Sequence, residues 1–370
     1  MTMTANRAAP SAPSGVHSLW YTRCPVPTAS SVAITGGWLA REFAADHIAV
    51  RSLGESEDAA LRLAHYTHAH PALFREGGVV PPLWASSVSG ANRLLALAPV
   101  SQYQGFWAMR DSAVARSGSL RGARIALPIR PGQPIDFARA VSWHGIEQAL
   151  SAAGVAADSV RLVDVPMDEA FLSDSVGPAG ASLYTARENV RLYTAEALAL
   201  VRGQVDAMYA AGPHALATAA LLDAVPVAGP RSGTIPAHGA GSARHLRILT
   251  VSTQLARERP DLVSRYVLAL LRAADWAAVH RQEAWRTVAA EVGAAEEWAR
   301  TAYPASLIDD LRLRVSKPLL DALQARADFL AQRAFVPARV DVRSWLDPDP
   351  LLRAEAARAA ESEETHDGIG

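Results

Sequence analysis

One cysteine, Cys24, is the residue of this 370-residue chain whose type and setting could most directly do chemistry. It lies in the stretch RCPVP, between Arg23 and Pro25, near the start of the folded part. A proline after it disfavours helix at the cysteine itself. A positive charge beside a thiol is the setting in which cysteines act as nucleophiles or proton donors. Free cysteines also serve as small buried hydrophobes, so Cys24 alone leaves both roles open.

A second concentration of reactive side chains is the segment HYTHAHPALFREGG, residues 65–78. Its three histidines, His65, His68 and His70, could in principle bind a metal ion. On a helix His65 and His68 share a face that excludes His70, whereas on a strand His68 and His70 share a face that excludes His65. This spacing argues against a metal site. It leaves surface or capping histidines, or a histidine that acts as acid or base near neutral pH.

The same segment ends with an arginine followed by a glycine pair. Arg75 could engage two oxygens of an anion through its guanidinium, while Gly77 or Gly78 lets a backbone amide approach the same anion. The alternative is a surface arginine before a turn. The sequence therefore predicts an anion clamp only if the fold brings Arg75 close to a second chemical group.

Composition places the chain among globular proteins that bind small molecules. Apolar residues make up 50%, charged residues 20%, and the net charge is −1. This balance provides no field for nucleic acid and no basic patch for a membrane surface. We expect a disordered leader at 1–15, a disordered acidic tail at 361–370, no secretory signal and no membrane span. The expected protein is cytoplasmic and monomeric.

Short apolar runs alternate with helical patterns, as in a parallel sheet covered by helices. The predicted strands are 16–21, 47–52, 93–98, 104–109, 123–127, 160–165, 205–209 and 246–251. A helix is expected from Thr28 toward Phe43. Another is indicated by an apolar stripe at helical spacing: Leu262, Val263, Tyr266, Val267, Leu270 and Leu271.

Two loop-rich stretches, near 117 and from 229 to 245, predict crossings between lobes. The expected outer lobe is 16–118 with 246–360, and 119–245 form an inserted second lobe. This is an α/β, two-lobed, periplasmic-binding-protein-like fold with its ligand cleft between the lobes. The Gly/Ser-rich stretch PMDEAFLSDSVGPAGAS, 166–182, is either a mobile cover over that cleft or a surface insertion.

Several stretches together resemble a known family: YTRCPVP, HYTHAHPALFREGGVVPPL, and RLLALAPVSQYQGFWAMRDS followed by LRGARIAL. The chain resembles the aromatic sulfinate desulfinases of dibenzothiophene desulfurisation, the 2′-hydroxybiphenyl-2-sulfinate desulfinase family. The similarity continues more weakly through ALALVRGQVDAMYA to the helix around DALQARADFLAQRAF. It implies a periplasmic-binding-protein-like fold, no cofactor or metal, and cleavage of an aryl carbon–sulfur bond that yields a phenol-type product and sulfite.

The resemblance also implies roles for individual residues. The family's catalytic cysteine, active-site histidine and sulfinate-binding arginine correspond to Cys24, His65 and Arg75. The glycine whose amide completes the anion pocket corresponds to Gly78. Two aromatic residues match the family's substrate-binding positions: Tyr66, and Trp143 of the pair Ser142-Trp143. A tryptophan-containing stretch of the family is replaced here by YAAGPHALA around Tyr209, which predicts a different pocket for the second ring.

Two chemical schemes fit these residues. Cys24 could protonate the ring carbon while Arg75 and the Gly78 amide hold the sulfinate, or its thiolate could attack sulfur and form a thiosulfonate-like intermediate that water hydrolyses. The competing class of function is a solute-binding protein for a sulfonate or nitrate type of anion, which has this fold and needs no thiol in its cleft.

Overall fold

Two five-stranded sheets organise the chain in the computed structural model, which describes residues 15–133, 135–167, 176–183, 191–227 and 245–367. The first sheet contains, in spatial order, β2 (Ala49–Ser52), β1 (Ser18–Arg23), β3 (Leu73–Gly77), β10 (His245–Ser252) and β4 (Asn92–Val100). The second contains β7 (Arg161–Pro166), β6 (Arg124–Ile129), β8 (Ala207–Ala211), β5 (Gln104–Met109) and β9 (Ala224–Val227). Each sheet combines parallel pairs with antiparallel ones, as expected when the chain passes between two lobes more than once.

Helices cover both sheets. Those before the first crossing to the second sheet are α1 (Ala29–Thr35), α2 (Trp38–Phe43), α3 (Ala59–Thr67) and α4 (Val80–Ser89). Those associated with the second sheet are α5 (Ala113–Ser117), α6 (Phe137–Ala152), α7 (Thr194–Val201) and α8 (Gly212–Leu221). The C-terminal part contributes α9 (Thr253–Glu258), α10 (Pro260–Val279), α11 (Arg281–Val292), α12 (Glu296–Ala302), α13 (Leu307–Asp310), α14 (Lys317–Gln332), α15 (Val342–Trp345) and α16 (Asp349–Asp367). Among the helices of the described ranges, none has the length and apolar character needed to cross a bilayer.

All eight predicted strands are present, and the described residues contain two more that sequence patterning missed. The missed strand β3, with sequence LFREG, carries Arg75 and Glu76 side by side although every residue in it is buried. Adjacent charges indicate a turn rather than a central strand, and only their partners in the folded chain make their burial possible. The other missed strand, β9, contains Pro226 and lies at a sheet edge, where a missing N–H costs no ladder bond.

The register of the first sheet sets the positions of its polar side chains. Arg75 on β3 lies opposite Thr22 on β1 and opposite Thr250 on β10. Directly opposed residues on adjacent strands place their side chains on the same face of the sheet. One face of the sheet centre therefore carries two hydroxyls and one guanidinium, and α3 lies against it.

The structure differs from the expected organisation at two places. Strand β5 lies within the expected outer lobe, 16–118, but pairs with β8 and β9 in the second sheet, so the chain crosses between sheets at 101–103. The tail from Glu361, expected to be disordered, continues α16 to Asp367. Ion pairs from Arg272 to Glu361 and from Arg358 to Asp275 tie this helix to α10. The expected leader lies outside the described residues except for its last position.

The helix expected after Thr28 forms as two shorter helices, because Gly36 and Gly37 separate α1 from α2 and Gly37 adopts a left-handed backbone. Thr28 caps α1 by accepting a hydrogen bond from the amide of Ser31. The apolar stripe predicted for α10 is confirmed, since all six of its residues are buried. Its member Tyr266 stacks on Phe74 of β3 at 3.7 Å, which fixes α10 against the strand that carries Arg75.

The C-terminal helix offers a matched test of this packing. Leu351 is 3% exposed and lies in the main core, whereas the adjacent Leu352 is 58% exposed. We expect Leu351→Ala to lower the free energy of unfolding by about 2–5 kcal/mol through a lost core side chain. Leu352→Ala should change it by less than about 0.5 kcal/mol. Urea denaturation measures both, and equal losses would contradict the placement of α16.

Candidate active site

Cys24 lies just beyond the end of β1, where the chain turns toward α1. Its amide donates to the carbonyl of Glu76 at 3.4 Å, which ties it to the end of β3. Its own carbonyl accepts from the amide of Val26 at 2.8 Å, so Pro25 lies at the centre of a tight turn. The side chain is half-buried. A half-buried residue does not fit the buried-hydrophobe alternative.

Arg75 connects the thiol to the glycine pair. Its side chain is 0% exposed, Nη2 donates to Cys24 Sγ at 3.0 Å and Nη1 donates to the Gly78 carbonyl at 2.8 Å. Its Nε has no hydrogen-bond partner among the described residues. A guanidinium has only donors, so the sulfur accepts. The arrangement is a fixed positive charge in contact with the sulfur of a half-buried cysteine, and Nε remains as an unused donor.

His65 approaches the sulfur from α3. Its Nε2 lies 3.9 Å from Cys24 Sγ, and its Nδ1 is 2.8 Å from Thr22 Oγ1. Complete burial, with the nearby Arg75 and His68 adding to it, holds the pKa of His65 well below its ordinary value. The ring is therefore neutral at physiological pH. In that state one ring nitrogen donates and the other accepts. The direction of the hydrogen bond between Thr22 Oγ1 and Nδ1 therefore determines whether Nε2 donates to the thiol or accepts from it.

The two glycines after Glu76 differ sharply in the space around them. A Cβ on Gly77 would lie 2.6 Å from Cys24 Sγ, whereas a Cβ on Gly78 would meet no atom within 4 Å. Gly77 is thus required by the close approach of the thiol. Gly78 contributes its carbonyl to Arg75, and the space where its side chain would begin is open. The sequence identified the pair, but the packing separates their roles.

Glu76 occupies the anion position that the N-terminus of α1 would otherwise offer. Its carboxylate accepts from the amide of Ser30 at 2.7 Å and from the amide of Ala29 at 3.3 Å. Burial raises its pKa, while these amides and the charge of Arg247 oppose that rise. Helix N-termini commonly bind anionic ligands. Here the protein's own carboxylate takes that place, so an incoming anion is directed to Arg75.

The other two histidines of the segment have separate positions. His68 follows α3 with a left-handed backbone, and its Nε2 lies 3.5 Å from Thr250 Oγ1. Burial and the charge of Arg75 lower the pKa of His68 to about 3. His70 packs on Trp20 instead, with ring centroids 5.8 Å apart. Within the described part of the chain, no group of three or more His, Cys, Asp or Glu side chains is arranged to hold a metal ion.

The two aromatic candidates lie at different distances from this cluster. Tyr66 is buried, contacts the edge of the His65 ring at 4.8 Å between centroids and stacks on Phe137 of α6 at 5.8 Å. Trp143 lies on α6, where its Nε1 donates to Glu147 at 2.9 Å and two arginines lie over its ring. The contacts described for Trp143 do not include Cys24, so its role in binding stays a prediction.

Residues 176–182, from the Gly/Ser-rich stretch that is either a cover or a surface insertion, lie against the first sheet. The amide of Gly177 donates to the Gly54 carbonyl at 2.9 Å, and that of Gly180 donates to Glu55 Oε2 at 3.1 Å. The Gly180 carbonyl accepts from Arg23 at 3.4 Å, directly beside Cys24 in the chain. Residues 168–175 lie outside the described part.

Sequence reasoning missed several residues that support the thiol. Thr22 could have been found, because it lies two positions before Cys24 and alternate residues of a strand share a face. Arg23 forms a buried ion pair with Glu291 of α11 at 3.2 Å. No local pattern indicates that pair, since 268 positions of the chain separate its members. Glu76 lay within the segment but carried no signal of its own, and Gly77 was expected only to let an amide approach an anion, not to make room for the thiol.

No protein-family model matches the chain. The 2′-hydroxybiphenyl-2-sulfinate desulfinases of Rhodococcus erythropolis and Rhodococcus qingshengii are each 28% identical to it over 372 residues. These alignments cover 90% of this chain and 92% of each relative. The resemblance expected from the sequence motifs is thus confirmed over most of the chain's length.

Solved structures agree with the fold prediction. A cysteine-to-serine mutant of DszB in complex with biphenyl-2-sulfinic acid gives a TM-score of 0.72 at 25% identity, covering 92% of this chain and 99% of that one. The aliphatic sulphonate-binding protein SsuA of Escherichia coli gives 0.56 at 15% identity, covering 90% and 92%. A putative sulfonate-binding protein of Methylobacillus flagellatus KT gives 0.63 at 14% identity, covering 92% and 95%. The two-lobed, periplasmic-binding-protein-like α/β fold is therefore confirmed.

Gly77 and Gly78 provide a direct test of the thiol's position. In Gly77→Ala the new methyl group must displace Cys24 Sγ, whereas Gly78→Ala adds a methyl group to open space. Because Cys24 is the single cysteine, its alkylation by iodoacetamide can be followed by mass spectrometry. We expect the alkylation rate constant to change about tenfold or more in Gly77→Ala, since small displacements have large effects at such sites. The rate in Gly78→Ala should stay within about twofold; equal rates in all three proteins would contradict the described packing.

The ion pair between Arg23 and Glu291 predicts that the free energy of unfolding depends on pH. Burial raises the pKa of Glu291 to about 7, and Arg23 opposes that rise. The folded state holds this proton more tightly than the unfolded chain, so the contribution of Glu291 to stability falls as pH rises from its ordinary pKa toward the folded one. Arg23→Met raises the folded pKa further and extends that fall to higher pH. We expect a loss of about 3–5 kcal/mol at about pH 8.5 and a smaller loss at about pH 6.

Urea denaturation at the two pH values measures this difference. The matched control is Arg23→Met in a Glu291→Gln background, compared with Glu291→Gln alone; Glu291 no longer titrates there, so the loss caused by Arg23→Met should be equal at the two pH values. A single Arg23→Met variant with the same loss at both pH values would show that Glu291 is not the group that Arg23 compensates.

Proposed function

We propose that this protein is an aryl sulfinate desulfinase, which hydrolyses the carbon–sulfur bond of an aromatic sulfinate and releases the arene or phenol and sulfite. The observation that carries the proposal is the contact between a half-buried cysteine and a fully buried guanidinium, Sγ to Nη2 at 3.0 Å. The names of the relatives, 2′-hydroxybiphenyl-2-sulfinate desulfinase, support the same activity over 90% of the chain. The names of these relatives also indicate the substrate class, which is 2′-hydroxybiphenyl-2-sulfinate or a related aryl sulfinate.

Arg75 is the proposed anchor for the sulfinate. A guanidinium donates to two oxygens in one plane, and a sulfinate presents two oxygens on one sulfur. The Gly78 amide would complete the pocket, because no atom lies within 4 Å of where a side chain on Gly78 would begin. The neutral His65 adds no charge, so the charge of the bound anion is balanced by Arg75.

The net reaction combines the aryl sulfinate with one water to give the arene and bisulfite, with no change in total charge. In one route the Cys24 thiol gives its proton to the ring carbon as the carbon–sulfur bond breaks; water then adds to the departing SO2 and returns a proton to the sulfur. In the other route the thiolate bonds to the sulfinate sulfur and the aryl carbon leaves with a proton. Water then cleaves the sulfur–sulfur bond, giving bisulfite and the free thiol.

His65 has the same place in both routes. Its Nε2 lies 3.9 Å from the sulfur, and its Nδ1 is held by the Thr22 hydroxyl at 2.8 Å. A neutral imidazole can donate a hydrogen bond to the sulfur, or it can accept the thiol proton and become a transient imidazolium paired with the thiolate. We therefore assign it the proton transfer at Sγ. Tyr66 packs against the edge of this ring, and we assign it and Trp143 to the binding of the aromatic part of the substrate.

A single chain supplies every residue in this proposal, so we expect the monomer to be active. The reaction consumes only water beside its substrate, and no cofactor enters either route. The proposal also requires a reduced thiol, which a cytoplasmic location provides.

Sulfite release from a panel of aryl sulfinates tests the proposal. The panel should contain benzenesulfinate, biphenyl-2-sulfinate and 2′-hydroxybiphenyl-2-sulfinate. We expect Cys24→Ser to lower the rate of sulfite release by about a thousandfold or more, since serine is a weaker acid and nucleophile. The dissociation constant of the sulfinate in that variant, measured by calorimetry, should stay within a few-fold of the wild-type value.

Two outcomes would overturn the proposal. Sulfite release by Cys24→Ser at a near-normal rate would remove the thiol from the reaction. Tight anion binding by the wild-type protein, with no sulfite released from any sulfinate, would favour the solute-binding alternative; the likeness to sulfonate-binding proteins supplies its fold but no site.

A further inference from the structure

A second buried arginine lies beside the anion clamp. Arg247 is the third residue of β10, the strand that pairs antiparallel with β3 through Ile248 and Gly77. The antiparallel register ends with that pair, and the next residues are Arg247 on β10 and Gly78 after β3, where a side chain would meet open space. Arg247 thus starts from the end of the sheet at which Cys24 and Gly78 lie.

Arg247 is buried without a partner. It is 6% exposed, it forms no ion pair or hydrogen bond with any residue that the structure describes, and its Nε is enclosed without an acceptor. Buried arginines ordinarily have a carboxylate or several carbonyls beside them, because an unpaired charge in the interior costs several kcal/mol or more. Arg62 shows the ordinary case in the same chain: it is also 6% exposed, and it donates to the carbonyls of Ser56 and Glu57 at 2.8 and 3.1 Å.

The charged groups around Arg247 indicate which kind of partner its guanidinium lacks. Burial lowers its pKa, and the repulsion of Arg75 lowers it further, while Tyr303, Cys24 and Glu76 raise it. The Glu76 carboxylate already binds two amides of α1, and a tyrosine hydroxyl is neutral at physiological pH. Arg247 starts on the sheet face that carries Glu76, opposite to Arg75, yet its charge interacts with both Cys24 and Arg75. The described residues supply no free anion for this second guanidinium.

We propose that Arg247 is a second anion-binding residue of this cleft and recognises a second negative charge close to the sulfinate group. The proposal rests on the desulfinase function proposed above and names a substrate feature that the function alone does not require. One source of that charge is an acidic substituent ortho to the sulfinate on the aromatic ring. The other is the product, because sulfite carries two negative charges once it loses its second proton.

Binding experiments separate these sources. In a Cys24→Ser background, calorimetry compares benzenesulfinate, 2-carboxybenzenesulfinate and sulfite, with and without Arg247→Met. We expect Arg247→Met to weaken binding of at least one of the two dianions about tenfold or more and binding of benzenesulfinate by less. A loss for 2-carboxybenzenesulfinate identifies the substrate substituent, and a loss for sulfite alone identifies the product.

Stability separates an anion-binding role from a structural one. Replacing an unpaired buried charge by a methionine should leave the free energy of unfolding unchanged or raise it. The matched control, Arg62→Met, removes an equally buried arginine that has partners. It should lower stability and leave all three dissociation constants within about twofold.

The proposal fails if Arg247→Met binds all three anions as the parent does. If Arg247→Met does not fold, Arg247→Lys replaces it: Lys keeps the charge but loses the planar donors, so weaker binding of at least one dianion supports the proposal and unchanged binding of all three contradicts it. None of these binding experiments requires turnover. A protein that releases no sulfite but loses dianion affinity in Arg247→Met would therefore contradict the desulfinase function alone.

Discussion

The burial of two adjacent opposite charges in a central strand is the constraint on which this structure depends. Arg75 and Glu76 point to opposite faces of β3, so neither can neutralise the other, and each must find partners on its own face. Glu76 takes the N-terminal amides of α1, and Arg75 takes the Gly78 carbonyl and the Cys24 sulfur. The chain between β1 and α1 is thereby held at both ends, which fixes the thiol between them.

This constraint explains why the site is built around neutral groups. Burial in the first place, and then the charge of Arg75 beside it, hold the pKa of His65 well below its ordinary value. Cys24 and Gly78 are the half-buried members of the site, whereas Thr22, His65 and Arg75 are buried. Such a site places a fixed positive charge beside the residue that can react.

Sequence patterns predicted the two-sheet α/β fold because most strands here are short apolar runs separated by helical periodicity. The pattern failed at β3, where the residues that matter for the site look like a charged turn. It also failed at the boundary between the lobes. The apolar residues of β5 would fit a strand of either sheet, and only its hydrogen bonds to β8 and β9 show that it belongs to the second sheet. The motif around Cys24, His65 and Arg75 was recognisable because it is local in sequence, within two short segments.

The sequence by itself determined the chemical inventory: one thiol, a histidine, an arginine and a glycine pair, in segments similar to those of the aryl sulfinate desulfinases. Only the tertiary structure decided their arrangement. It made Gly77 indispensable to the thiol and left Gly78 open, paired Arg23 with a glutamate far along the chain, and buried the Nε of Arg247 without an acceptor among the described residues. The physical reason is that burial and pairing of charges depend on contacts between residues distant in sequence, which no local pattern records.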